Sequence, residues 1–196
     1  MSKASSDGGS SGRYHHGGLR RALLDAALAE LGRGEDELSF RRLAAAAGVA
    51  RSAPYNHFRD RGELLAVLAG EGFGLLNAAL ISHAGDLSGL ARAYLAFGRG
   101  QGAHYRVMFL PIVTRPENVA HVHPKAQACF DLLVAALAAA GSTDDEAAEC
   151  ARAIWCGLHG LVLLGEPGGP LGVSPADEAR FAELLARRLA REPNRP

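Results

Sequence analysis

Apolar positions along this chain recur mostly three or four residues apart, the spacing that gives a helix one buried face. Leu19, Leu23, Ala27 and Leu31 form the first such ladder, with Leu24 and Leu28 beside it, and Gly32 and Gly34 close it. Phe40, Leu43, Ala44 and Ala47 make a second, shorter face, followed by a polar segment from Arg51 to His57. Leu64, Leu65, Leu68, Phe73, Leu76 and Leu80 predict a long helix over 62–81. Gly70, Gly72 and Gly74 weaken its middle, marking either a bend or interruption, or tight packing. A turn at 83–86 precedes a helix over 87–98, carrying Leu90, Ala93, Tyr94 and Phe97 and ended by Gly98, Gly100 and Gly102. Further helices are expected over 103–109, 125–140, 144–164 and 175–191, with a loop holding two prolines at 114–124. With the segment from Arg51 to His57 these make about nine helices and no convincing strand, so the fold class is all-α.

The helix over 144–164 is the best marked. Asp144, Asp145 and Glu146 suit the positive end of its dipole, and Ala147, Ala151, Ile154, Trp155, Leu158 and Val162 trace its apolar stripe. Gly157 and Gly160 open space on it for close helix contact, and the last helix carries Phe181, Leu185 and Leu189 on one side.

The segment from Ser39 to Phe58, SFRRLAAAAGVARSAPYNHF, has a different character. It reads as two short helices around a glycine-centred turn, the arrangement by which a helix-turn-helix presents its second helix to DNA. Ser39 is placed to cap the first helix, and Gly48 supplies the left-handed backbone that stops it. Val49 plugs the turn, Pro54 is tolerated in a first turn whose N–H groups lack partners, and Phe58 anchors the end. The second helix exposes Arg51, Ser52, Tyr55, Asn56 and His57, a dense hydrogen-bonding set. In a major groove Asn56 suits adenine, Arg51 suits guanine or a phosphate, Ser52 suits either type of edge and Ala53 suits a thymine methyl.

Charge narrows the possibilities. The 196 residues carry 21 basic and 21 acidic side chains, so DNA affinity has to come from a local patch. Five arginines, Arg41, Arg42, Arg51, Arg59 and Arg61, face one acid, Asp60, between Ser39 and Arg61. So small a patch binds weakly alone, which calls for two copies on a palindromic double-stranded operator. Cys129, Cys150 and Cys156 are odd in number and form no CxxC, which fits a reducing cytoplasm. The N-terminus lacks the apolar core of a signal peptide, and no apolar run approaches the roughly 18 residues of a membrane helix. No membrane partner is expected.

Tyr55-Asn56-His57-Phe58 after an Ala-Gly-Val turn, followed by Arg61 and Leu64, resembles the N-terminal domain of the TetR family of bacterial transcriptional regulators. The resemblance covers about residues 13–80, with Ala50 where a capping serine or threonine is common and Gly62 where glutamate is common. It implies that Tyr55 and His57 hold the DNA backbone, with Arg61 a third phosphate contact and Arg41 part of the same basic patch. Trp155, His159 and Gly160 resemble the Trp-x-x-x-His-Gly signature of one effector-domain type in that family, and the segment from Tyr105 to Phe109 resembles the same domain class. The implied organisation is a disordered arm over 1–12, a helix-turn-helix domain over 13–84, and an effector-binding and dimerisation bundle over 85–192. The implied function is that of a homodimeric regulator, most simply a repressor released by a small hydrophobic or aromatic effector held inside the bundle, with dimerisation through the last two helices.

The scarce aromatic residues gather in the C-terminal half. Tyr94, Phe97, Tyr105, Met108, Phe109, Phe130, Trp155 and His159 are the candidates for lining an effector cavity. An alternative regulator on the same scaffold would sense metal or thiol redox state through His121, His123, Cys129, Cys150, Cys156 and His159, although no matched ligand spacing accompanies the His-x-His pair. No metal or cofactor is expected. An enzyme is disfavoured, since G-x-S-x-G, P-loop and HExxH motifs are all lacking.

Overall fold

The computed structural model describes residues 16–34, 38–165 and 172–189. The serine- and glycine-rich arm, Arg13 to His15, positions 166–171, the end of the last helix beyond Leu189 and the side chains of Leu185 and Leu189 lie outside the described residues. Those described form eight α-helices and three 3₁₀ turns, without a strand. The chain divides into two compact units that meet in sequence between Phe58 and Arg59.

The smaller unit holds α1 (His16–Gly32), α2 (Phe40–Ala46) and a 3₁₀ turn (Ala53–Asn56). Leu23, Leu24, Ala27 and Leu31 of α1 are buried, as are Phe40, Leu43 and Ala44 of the neighbouring α2. Leu19 and Leu28, at the flank of the ladder, are only half-buried. Gly48 adopts φ +67°, and the amides of Gly48 and Val49 donate to the carbonyls of Ala45 and Ala44. These bonds close α2, and a side chain at Gly48 would be strained by the backbone angle itself. Ser39 does stand at the N-cap, but its hydroxyl makes no cap bond; its carbonyl accepts from Leu43 N–H instead.

The segment from Arg51 to His57 differs from expectation: it is a tighter 3₁₀ turn, and this is the missing ninth helix. Its amides bond three residues back, Tyr55 to Ser52 and His57 to Pro54. Ser52 at the cap makes no side-chain bond, and the element is only four residues long, a length at which the tighter 3₁₀ pitch is common.

The larger unit is built on α3 (Arg61–Ile81), an uninterrupted helix of 21 residues. Against it pack α4 (Leu87–Gly100), α5 (Gly102–Met108) and α6 (His123–Ala139). α7 (Asp144–Leu164) lies on α6 and α4, and α8 (Pro175–Leu189) on α4 and α7. α3 packs on the helices that follow it in sequence. Leu64, Leu65, Leu68 and Leu76 are fully buried there.

The glycines of α3 mark close packing, with no break in the helix. A Cβ on Gly70 would collide with the carbonyl oxygen of His121, and one on Gly72 would come within 2.7 Å of Met108 Sδ, while Gly74 faces open space. Gly98 likewise does not end α4: the helix continues to Gly100, and a Cβ at Gly98 would sit 2.6 Å from a Val162 methyl of α7. Arg99 Nε donates to buried Glu178 Oε2 at 2.7 Å, tying α4 to α8. A Cβ at Gly160, by contrast, would meet no described residue outside its own helix backbone within 4 Å.

A 3₁₀ turn, Pro111–Thr114, precedes the expected loop at 114–124, which contains a second, Val119–His121, and Pro124 lies in the first turn of α6, where its missing N–H costs nothing. α7 begins with a capping box in which Thr143 and Glu146 bond each other's backbone. Of the residues expected on one side of the last helix, Phe181 is exposed; among the described side chains of α8, Glu178 and Ala182 are the buried ones. α3 and α7 also reach the length and hydropathy of membrane spans, with mean hydropathies of 1.8 and 1.3. Neither is an unbroken apolar run: Arg61, Glu63 and Glu71 interrupt α3, and Glu149 and Arg152 interrupt α7. A core helix passes the same test, and 56% of the α3 window is buried within the protein.

Candidate DNA-reading element and ligand cleft

The first candidate site is the 3₁₀ turn and its flanks. Pro54 and Phe58 are buried and fix the turn from beneath. Arg20 of α1 sits over the Phe58 ring, 5.0 Å from its centroid, a cation–π contact that holds this corner. Tyr55 leans edge-on against Phe40 at 5.0 Å, yet the residue is 64% exposed. One side of its ring is therefore supported while much of the side chain remains in solvent.

Arg41, Arg51, Ser52 and Asn56 are exposed with it, and Ala53 and His57 are half-buried. Arg61 is exposed but lies in the larger unit, in the first turn of α3. The basic patch is thinner than its arginine count suggests. Arg42 reaches buried Glu30 at 3.4 Å, and Arg59 donates to Asp60 at 3.0 Å and to Asn118 at 2.9 Å. What the turn offers is a short row of donors and acceptors with two exposed arginines, Arg41 and Arg51, from the same unit.

Arg59 and Asp60 belong to the start of α3. Asp60 caps the helix by accepting from Glu63 N–H at 2.9 Å. That bond, and then Arg59, holds its carboxyl below the usual carboxylate range. Asn118, buried in the loop between α5 and α6, accepts from Arg59 and donates to the Ile112 carbonyl. The loop is thereby bonded to the lead into α3.

The second candidate site is a cleft of about 350 Å³ within the larger unit. Its walls are Phe73 of α3, Phe109 after α5, His123, Ala126, Gln127 and Phe130 of α6, and Arg152, Trp155 and Cys156 of α7. Of the eight residues proposed from sequence, Phe109, Phe130 and Trp155 line it. Tyr94, Tyr105 and His159 form a polar chain behind it. The two tyrosine hydroxyls are 3.0 Å apart, and the Tyr105 hydroxyl is 2.8 Å from His159 Nδ1. Burial raises the pKa of both tyrosines, that of Tyr105 to about 12, and lowers that of His159, which favours an uncharged chain.

The rings join the two layers: Tyr94 meets Trp155 edge-on at 5.3 Å, and Phe109 lies 4.1 Å from the His159 ring. Phe97 and Met108 are buried and are not among the cleft walls. Phe73, His123, Ala126, Gln127, Arg152 and Cys156 escaped the sequence reading. Helical spacing carries the missed signal, because 123, 126, 127 and 130 share one face of α6 and 152, 155, 156 and 159 one face of α7.

Of the residues considered for metal or redox sensing, His123 and Cys156 share the cleft wall, and the other four are not among its lining residues. Cys129 is buried, donates to the Phe73 carbonyl at 3.3 Å, and has its pKa pushed up to about 12 by burial. Cys156 is exposed, Cys150 half-buried, His159 engaged by Tyr105, and His121 3.9 Å from Glu63. Among the described residues, no group of three or more histidine, cysteine or acidic side chains is placed to hold a metal.

Solved structures share this fold. One, a protein of unknown function from Rhodococcus sp. RHA1, is 34% identical, with 92% of this chain and all of that one aligned and a TM-score of 0.73. The multidrug binding protein EbrR, solved with imidazole, is 27% identical over 89% of this chain and 96% of its own, with a TM-score of 0.60. The TetR family transcriptional regulator PfmR from Thermus thermophilus shares the fold at 22% identity, with 85% and 94% covered and a TM-score of 0.65. No curated protein matches in sequence. Residues 23–68 match the model for bacterial regulatory proteins of the tetR family, and residues 87–189 that for the tetracyclin repressor-like C-terminal domain. With the glycine turn and Tyr55-bearing element inside the first match and the cleft-forming helices α6 and α7 inside the second, the chain belongs to the TetR family and is a DNA-binding transcriptional regulator.

Proposed function

We propose that the chain works as a homodimeric repressor of the cytoplasm, released from a palindromic operator when a small molecule enters the cleft beside Trp155. The observation that carries the reading is the Tyr55 element, exposed at its tip and fixed from beneath by Pro54, Phe58 and Phe40. Arg51, Ser52, Ala53 and Asn56 contact base edges, while Tyr55, His57, Arg41 and Arg61 hold phosphates. Dimerisation uses the last two helices, where Leu163, Leu164, Phe181 and Leu184 are exposed in a single chain. The Trp155, His159 and Gly160 signature and the multidrug-binding name of EbrR support a small-molecule effector.

Coupling runs through α3. Phe73 forms part of the cleft wall, and the same continuous helix begins immediately after the reading element. The cleft also includes Phe109 and His123, which flank the loop that Asn118 bonds to Arg59. A ligand that displaces these walls acts on the start of α3 and favours a dimer state whose reading elements no longer match the operator. Linkage requires operator to weaken effector binding by the same factor.

Selection of genomic fragments with the full chain tests the assignment. Enriched fragments should share a palindrome with half-sites about 34–36 Å apart, or a multiple of that. Uniform, salt-sensitive recovery of all sequences would contradict it.

A further inference from the structure

The cleft has an asymmetry of charge that neither the fold nor the family match requires. Its walls carry four aromatic rings, from Phe73, Phe109, Phe130 and Trp155. Among the described residues its polar wall positions are His123, Gln127, Arg152 and Cys156, with no aspartate or glutamate. Arg152 is exposed and forms no ion pair with any described residue. Asp131, which accepts from the wall residue Gln127 through Nε2 at 2.8 Å, is not itself among the lining residues. A cationic guest would meet Arg152 with no counter-charge in the walls. An anionic guest would supply the partner Arg152 lacks, through the paired N–H···O geometry in which guanidinium and carboxylate fit each other.

Size and surface narrow the class further. A cavity of about 150 Å³ holds benzene, and this cleft is about 350 Å³. Two linked or fused rings therefore fit, packed edge or face against Trp155 and the phenylalanines. We infer that the effector is an aromatic carboxylate of about two rings, its rings among Phe73, Phe109, Phe130 and Trp155 and its carboxylate on Arg152. This deepens the reading of the cleft as the effector site and rests on it.

Three probes of one shape separate the possibilities: para-phenylbenzoate, its primary amide, and para-phenylbenzylammonium. Each is titrated calorimetrically into the full chain, and in parallel by fluorescence of Trp155, the chain's single tryptophan. The acid should bind at least about tenfold tighter than the amide, as expected of a charge-assisted bond, with the ammonium weakest. Arg152→Gln should reduce acid binding to the level of the amide, and Ala126→Phe, which fills the cleft, should weaken both. Because Arg152 is exposed, circular dichroism of Arg152→Gln should match wild type.

Equal binding of acid and amide, both lost in Ala126→Phe, would leave the cleft as a ligand site and overturn the anion assignment. An acid preference that survives Arg152→Gln would also overturn it. Failure of all three probes to bind would overturn the cleft reading and this inference together.

Discussion

Replacing Gly70 with alanine and, separately, Gly74 with alanine puts the architecture of α3 to a direct test. Both residues lie inside one helix, so both substitutions gain the same intrinsic term, about 0.8–1.0 kcal/mol of helix propensity. Their surroundings differ. A methyl at Gly74 meets nothing within 4 Å, whereas one at Gly70 collides with the main-chain oxygen of His121. That oxygen belongs to the 3₁₀ turn Val119–His121 and cannot rotate away as a side chain would. Overpacking of this kind costs about 1–3 kcal/mol.

The propensity term cancels between the two variants, so Gly70→Ala should be less stable than Gly74→Ala by about 1–3 kcal/mol. Gly74→Ala itself should exceed wild type by somewhat under 1 kcal/mol. Urea unfolding at one fixed protein concentration reads both. At a slope of about 1–3 kcal/mol per molar, the two midpoints should differ by about a third of a molar or more. If Gly70→Ala raises the midpoint as much as Gly74→Ala, the close approach of the His121 carbonyl to α3 is wrong.

The other predictions concern the cap, the thiols and the dimer face. Asp60→Ala removes the cap of α3 and should cost about 1 kcal/mol at neutral pH. Because the folded pKa of Asp60 is depressed, its contribution is present above the ordinary carboxylate range and fades as pH falls through the folded value, so the variant should lose less stability on acidification than wild type does. Under native conditions a maleimide should label Cys156 quickly and leave Cys129 unmodified until the protein unfolds, as mass spectrometry would show; rapid labelling of Cys129 would contradict its burial. Leu184→Glu, at an exposed position of α8, should shift sedimentation towards the monomer while helix content is kept; an unchanged dimer would remove α8 from the interface.

Much of the fold was legible because burial follows helical spacing. α7 runs from Asp144 to Leu164, the span its acidic first turn and apolar stripe mark. Even there the Thr143–Glu146 box went unread, although Thr-x-x-Glu before an apolar run is its signature. Errors cluster at glycine and proline. Gly98 has the residue type of a helix breaker, but it stays within α4, where the Val162 methyls leave no room for a side chain. Pro124 was read as loop, but a proline is at home in a first turn. The 3₁₀ geometry of Arg51–His57 depends on which amides bond, something residue identity only partly decides.

For the cleft, sequence supplied the aromatic residues and not their grouping. Tyr94, Tyr105 and Trp155 recur at helical positions whether they fill a core or face a cavity. Only packing distinguishes Phe130, on the wall, from Met108, in the core. Nothing in the sequence sets Arg152 apart from the other arginines; the packing of α6 against α7 is what puts it on the wall.

The central claim is that the Tyr55 element reads operator DNA, and fluorescence anisotropy on a palindromic fragment selected by the wild-type chain tests it most directly. Tyr55→Ala should bind that fragment about a hundredfold or more weakly, since the change acts in both copies of the dimer, while circular dichroism and sedimentation stay at wild-type values. Binding at wild-type strength with the usual salt dependence would contradict the account.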